Sequence, residues 1–492
     1  MYLPFAASAA DAKPIFYASS GVWDLIVQLG VIALFLLLAN LLRRRVPFIR
    51  KTLMPVSVLA GFMMLAFKLV LEKGFKITDF FDYELLDTLV YHCIALGFIA
   101  MSLRVAKKAG GAGAVTGAKT GAAIVGSYLI QGLTGLVITI LLALTFMPNL
   151  FKAAGLLLPM GYGQGPGQAN NIGMTYESYG FVGGQSFGLA LAAAGYTCAC
   201  TVGVIVLNLW RKHKKLDFSH NLTGKEAQLT VDYFQGSNEI PVSDSIDKLS
   251  VQIALVLAVY IVTYLVTLGI TKALSAFAPG IGNLLNPMLW GFNFIIGSAV
   301  AMLVRSLLGK AEKHGIIQRR YQNNYLLNRL SGFFFDLMIV AGIACINPEE
   351  LTGLWLPFAL MAVAGGVVTW FYLRLISRRI YPDYYHEGLI SMYGMMTGTI
   401  GSGVLLLREI DPEFRTPAAN NLVVGSSYGI LFGAPLLILV TMAAKSDLMC
   451  YIVSGIIVVY FALLMLFVRF FRGKKKAAEA EEPADGQPIE IN

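Results

Sequence analysis

Apolar residues in this chain come in runs of about 20, the length a helix needs to cross roughly 30 Å of hydrocarbon. Short polar or basic stretches separate the runs. They begin near Val22, Pro55, Leu85, Gly117 and Gly184 in the first half, and near Leu249, Pro287, Tyr325, Leu351, Ala418 and Leu448 in the second. The pattern predicts an all-α polytopic membrane protein with eleven spans.

Two apolar stretches cannot span. Between the fourth and fifth runs, "AAGLLLPM" (Ala153 to Met160) is too short to cross, and it leads into "GYGQGPGQANN" and a second short limb, "IGMTYESYGF". After the ninth run, "HEGLISMYGMMTGTIGSGVLLLREIDPEF" (His386 to Phe414) has the same design of limb, glycine-rich tip and limb. Irregular backbone at membrane depth is tolerated only where protein or a wet cavity surrounds it. These segments therefore predict two re-entrant hairpins, at about 153–178 and 386–410.

Basic residues orient the chain. With the N-terminus outside, 31 of the 38 Lys and Arg residues fall in inner segments, which puts the C-terminus in the cytoplasm. Lys13, Lys68, Lys73, Lys76, Lys152, Lys272 and Lys445 remain on the outer side. Five spans precede a polar cytoplasmic linker at 211–247, an odd number, so the second half enters the membrane with opposite polarity. Two inverted repeats follow, 22–210 and 248–444, with a hairpin inserted from each face. An external tail (1–21), an additional transmembrane helix (445–472) and a disordered cytoplasmic tail (473–492) complete the organisation. The alanine-rich start, "MYLPFAASAADAKPIF", imitates a cleavage site but lacks a basic n-region.

Composition narrows the function. A formal net charge of +9 could suggest a nucleic-acid partner, but the basic residues sit at the ends of apolar runs, where they serve topology and meet membrane lipid. All five cysteines lie inside apolar runs and read as core residues rather than a disulfide or zinc framework.

The hairpin tips hold the candidate chemistry. A glycine turn lets carbonyls face a cation, and the N-terminus of each returning limb offers free N–H groups to an anion. Gln164, Gly165, Gly167, Gln168, Asn170 and Asn171 in the first tip, with Thr397, Gly401 and Ser402 in the second, are the candidate substrate-binding residues. Gly163, Gly398 and Thr399 are candidate sodium ligands, joined by Asp336, an ionisable residue in the middle of the eighth span. Aligning the third and eighth spans sets His92 against Asp336; an interhelical hydrogen bond is the plainer reading of His92. Arg408 could pair with a substrate carboxylate through its forked donors or act as a cytoplasmic anchor. The glycines could equally mark close helix packing. Asn420 and Asn421 repeat "ANN" by chance, and Glu177 and Glu409 read as solvated. No HExxH, phosphate loop or nucleophile elbow occurs, so no enzyme and no cofactor is expected; a channel lacks a filter motif.

The motifs "PVSVLAGF", "ALGFIAMSLR", "GYGQGPGQ", "GMMTGTIGSG" and "NLVVGSSYG" resemble the bacterial sodium:glutamate symporter family over most of Val22 to Ala443. The resemblance implies a sodium-coupled glutamate symporter of the bacterial inner membrane, two inverted five-helix repeats, a homodimer and an elevator-like motion. It departs where the family carries Gly-Gly-His-Gly-Thr-Gly: Gln164 falls at the histidine and Pro166 at the threonine. Other amino acids, 2-hydroxycarboxylates and proton coupling or exchange therefore stay open.

Overall fold

The computed structural model describes residues 20–471, except 79, 106–110, 213–247, 278, 280–281, 283–285, 287–288, 318–319 and 412–415. The external tail, most of the linker and the cytoplasmic tail expected from the sequence lie outside the described residues. No β-strand occurs among the described residues, as expected where backbone groups have only their own helix to bond with.

The helices are α1 (Ser20–Arg45), α2 (Val56–Leu69), α3 (Tyr83–Leu103), α4 (Gly111–Thr145), α5 (Pro166–Ser178), α6 (Gly184–Lys212) and α7 (Lys248–Phe277). They continue as α8 (Asn293–Lys313), α9 (Asn324–Ala344), α10 (Trp355–Ile380), α11 (Tyr385–Thr397), α12 (Ile400–Arg408), α13 (Ala418–Ala443) and α14 (Asp447–Phe470). Among the described residues, ten helices are long and apolar enough to cross a membrane. The expected span near Pro55 is the exception: α2 has 14 α-helical residues and runs on only through a π turn, Val70–Gly74. The run expected near Pro287 is helical at 289–291, turns at Phe292 and continues as α8 from Asn293. The helix expected near Leu351 begins at Trp355 after a turn.

Side-chain caps set several starts. Asp82 accepts from Leu85 N (3.0 Å), Asn323 from Leu326 N (2.8 Å) and Ser446 from Met449 N (3.2 Å), each satisfying an orphan N–H of a first turn.

The apolar lengths of α3, α6 and α9 are 56%, 61% and 56% buried, against 22% for α1, α7, α8 and α14, so the first three form the centre. Two central pairs run antiparallel. On α3 and α9, Val90 lies beside Gly342, Gly97 beside Phe335, and Arg104 donates to Asn328 (2.9 Å). On α4 and α10, Gln131 donates to Thr369 (2.8 Å), Tyr372 to Ala123 O (3.2 Å), and Thr120 meets Tyr381 (2.8 Å). Around them α1 packs on α2 and α2 on α9, while α7 packs on α8 and α8 on α3. Likewise α13 packs on α4 and α6 on α10, and α14 covers α4 and α13.

Polar ends meet across the fold. Lys73 pairs with Glu349 (3.5 Å) and Lys152 with Asp447. Lys68, which its charge alone assigns to an outer surface, is buried; its ammonium donates to Ala344 O (2.9 Å) and Ile346 O (2.8 Å). It thereby serves the carbonyls left over at the C-terminus of α9.

Small residues permit backbone contact where α4 meets the chain before α5. A Cβ at Gly135 would stand 2.0 Å from Gly155 O, and one at Gly155 would stand 2.3 Å from Leu136 N. Overpacking such a contact typically costs about 1–3 kcal/mol. Gly155→Ala should therefore lower the melting temperature of the purified protein, whereas Gly30→Ala, with nothing within 4 Å, should leave it in place. Equal melts would show that this backbone contact is not tight.

Candidate functional site

Two helical segments break inside the fold. The first runs through a 3-10 turn (Lys152–Leu156), a short helical turn (Leu157–Pro159) and a π turn (Met160–Gln164), stops at Gly165, and resumes as α5. Gly165 has φ +89°, a conformation that costs other residues a backbone penalty. Pro166 then opens α5 with φ already set and no N–H to leave unpaired. In the second, α11 stops at Thr397 and α12 begins at Ile400, with Gly398 in a turn and Thr399 extended between them. Neither α5 nor α12 has a side-chain cap. Their first-turn N–H groups and positive dipole ends are open to an anion.

The breaks share walls. Gln131 of α4 donates through Nε2 to Met396 O (2.9 Å) and to Thr369 Oγ1 (2.8 Å), while its Oε1 lies 3.1 Å from the place a Cβ would take on Gly163. A Cβ on Gly195 of α6 would stand 2.5 Å from Thr397 O and 3.2 Å from Tyr162. One glutamine and one glycine thus touch both breaks.

Polar atoms accumulate there without protein partners. Gln131 Oε1, both amide atoms of Gln168, Tyr196 OH and Ser402 Oγ are buried and accept or donate no hydrogen bond among the described residues. Tyr196 OH is 3.6 Å from the Cβ position of Gly165, and Ser402 Oγ is 2.8 Å from that of Gly398. A buried unsatisfied group costs about 1–3 kcal/mol. Several around two helix breaks point to a site that a ligand or water completes.

Asp336 reaches the same region from α9. Its carboxylate is near enough to Ser57 and Tyr196 to interact electrostatically with both, and its side chain is exposed despite its mid-helix position. Among the described residues, no three His, Cys, Asp or Glu side chains gather to hold a metal ion. Any cation here would rest on carbonyls, hydroxyls, amides and one carboxylate, the hard oxygen donors that suit an alkali ion.

Other candidates are bound up in packing. Asn170 accepts from Gln185 (2.9 Å), which also holds Asp87 (2.6 Å), and Asn171 donates to Gly291 O (2.9 Å). Thr397 bonds back to Tyr393 O (2.8 Å). A Cβ on Gly167 would collide with Ile94 (2.6 Å) and Met338 (2.8 Å), so this glycine serves helix packing. Gly401 is exposed, with only Thr399 Oγ1 at 3.4 Å from its Cβ position. Gln164 and Thr399 are half-buried at the breaks. Arg408 stands exposed at the far end of α12, about 12 Å from its start. His92 bonds Tyr260 (2.6 Å), the interhelical contact expected of it, and Asn421 donates to Tyr384 (2.6 Å). Glu177, exposed as expected, accepts from Gln185 N (2.9 Å).

Gln131, Thr369, Tyr196 and Ser57 escaped the sequence reading. Gln131 left a trace, an amide alone in the apolar run "SYLIQGLTGLVITILLAL"; a tyrosine or threonine in a span leaves none. Comparison with protein-family models and with curated proteins found no match for this chain.

The glycines separate by mechanism. Gly165→Ala forces a left-handed alanine and should lower stability by about 1–3 kcal/mol. Gly401→Ala has room and should melt like the parent. The reverse order in thermal denaturation would contradict the assigned backbone geometry.

Proposed function

We propose that the chain is a sodium-coupled secondary transporter that takes up glutamate or a related small carboxylate by alternating access. The observation that carries this reading is the convergence of two uncapped helix breaks on Gln131 and Gly195, with orphaned polar atoms around them. In this reading the segments before α5 and α11 through α12 are re-entrant hairpins inserted from opposite faces.

The packing pattern supports inverted repeats. Matching α1, α2, α3, α4 and α6 with α7, α8, α9, α10 and α13 exchanges the main contacts: α1 on α2 with α7 on α8, α2 on α9 with α8 on α3, α6 on α10 with α13 on α4. The pairs α3 with α9 and α4 with α10 map onto themselves and run antiparallel. The alternation of spans is supported by Lys73 with Glu349 and Lys152 with Asp447, which bring together segments that it places on one and the same side. The same reading, in line with the resemblance to bacterial sodium:glutamate symporters, expects a homodimer in the inner membrane.

Electrostatics gives the coupling a physical basis. Residues 160–168 and 396–403 contain no Lys or Arg, so an anion between the breaks finds helix N-termini and neutral donors on the broken segments and no cationic side chain in either tip. A sodium ion beside it, held by carbonyls and Asp336, would supply the missing charge. Each ligand then raises the affinity of the other, a coupling typically of about 1–3 kcal/mol. The inward sodium gradient drives uptake.

Purified protein in proteoliposomes should accumulate labelled glutamate when sodium is high outside, and fail to do so with potassium in its place. Gly401→Ala should fold normally yet take up less. Asp336→Asn should shift the sodium titration about fivefold or more. Uptake indifferent to sodium would overturn the coupling, and an unchanged titration in Asp336→Asn would remove that residue from the cation site.

A further inference from the structure

A cavity opens beside the first break, on the side of α2 and α10. It encloses about 660 Å³ between α2, α6 and α10, with Tyr162 and residues 346–351 at its edges. Its α6 wall is a stripe of small residues at helical spacing: Ala190, Ala193, Ala194, Thr197, Cys198 and Thr201. Large apolar side chains of α10 face it, among them Phe358, Val363, Val367 and Phe371. The last three of these are exposed at 69%, 49% and 61%, so the cavity opens sideways onto the face α10 turns outward.

Its hydroxyl and thiol groups are satisfied internally, unlike the orphaned ones at the breaks. Thr197 donates to Ala193 O (3.0 Å) and Thr201 to Thr197 O (2.8 Å), each within its own helix. Cys198 Sγ meets Tyr393 OH (3.1 Å), and Tyr162 OH donates to Ala362 O. Apart from the indole N–H groups of Trp355 and Trp370 it has no hydrogen bonds to offer, and a cavity so apolar does not favour ordered water.

Length identifies the occupant. From Ala190 to Val202 the α6 wall runs for about 18 Å, close to the roughly 15 Å depth of one leaflet, half of a hydrocarbon core of about 30 Å. One end of the cleft carries the marks of an interface: Trp355 and Pro348 line it, and Lys73 and Glu349 pair beside it. We infer that this cleft is a binding site for one acyl chain of a membrane phospholipid, which lies along α6 with its headgroup near Trp355. The chain would touch Tyr162, next to the first break, and Cys198, which bonds Tyr393 of α11, so an occupant contacts the supports of both breaks. This assignment does not depend on what the protein transports.

The test uses the full-length protein in phosphatidylcholine liposomes doped with a phosphatidylcholine that carries a photoreactive diazirine in its tail. After irradiation, peptide mapping should find adducts on residues 190–202 and on the facing residues of α10. Ala194→Phe, which fills the cleft, should lose these adducts and keep those on peripheral α14. Thr201→Phe, at an exposed position, provides the same test should the first variant fail to fold. Absence of α6 adducts in the parent, their survival in both variants, or protein-to-protein crosslinks from Thr201→Cys showing a second copy in the cleft would each overturn the proposal.

Discussion

A peptide N–H or C=O that faces hydrocarbon without a partner costs several kcal/mol, and this one constraint organises the whole chain. Long uninterrupted helices meet it residue by residue, and ten of them account for most of the fold. The two breaks at Gly165 and at Gly398–Thr399 cannot meet it alone. They persist because the centre of the molecule is built around them: α4 lends Gln131, α6 lends Gly195, and α9 brings Asp336 alongside.

Enclosure depends on close approach. Glycines at 135, 155, 163, 167 and 195 let backbones and broken segments lie within contact distance of neighbouring helices. Close packing and an unfilled polar site are thus two outcomes of the same composition. The difference is visible only in what surrounds each glycine: Ile94 and Met338 at Gly167, an orphaned hydroxyl at Gly165 and Gly398, open space at Gly401.

That distinction explains what the sequence could reveal. Span positions and the two interrupted segments were legible because hydrophobic run length and Gly-Pro chemistry are local properties. "GQGP" ends one helix and begins the next by residue type alone. The burial of Lys68 was not legible, because only tertiary structure supplies the α9 carbonyls that let an ammonium leave water. Asn170 and Asn171 looked like free amides, yet Gln185 and Gly291 occupy them. Gln131 and Tyr196 come from helices that the tip motifs do not contain, so no spacing within the tips could nominate them. Arg408 is the opposite case, close in sequence to the second tip and carried away from it by eight helical rises.

The central claim is that the unpartnered atoms around the breaks form a site completed by a cation and a carboxylate. Thermal denaturation of the purified protein in sodium or potassium chloride, with and without glutamate, tests it most directly. Binding should stabilise the fold by about 2.7 kcal/mol at a ligand concentration 100 times Kd, so the account predicts a higher melting temperature in sodium with glutamate than with either alone, and loss of that gain in Gln168→Leu. Identical melting in both salts, across glutamate and related small carboxylates, would contradict it.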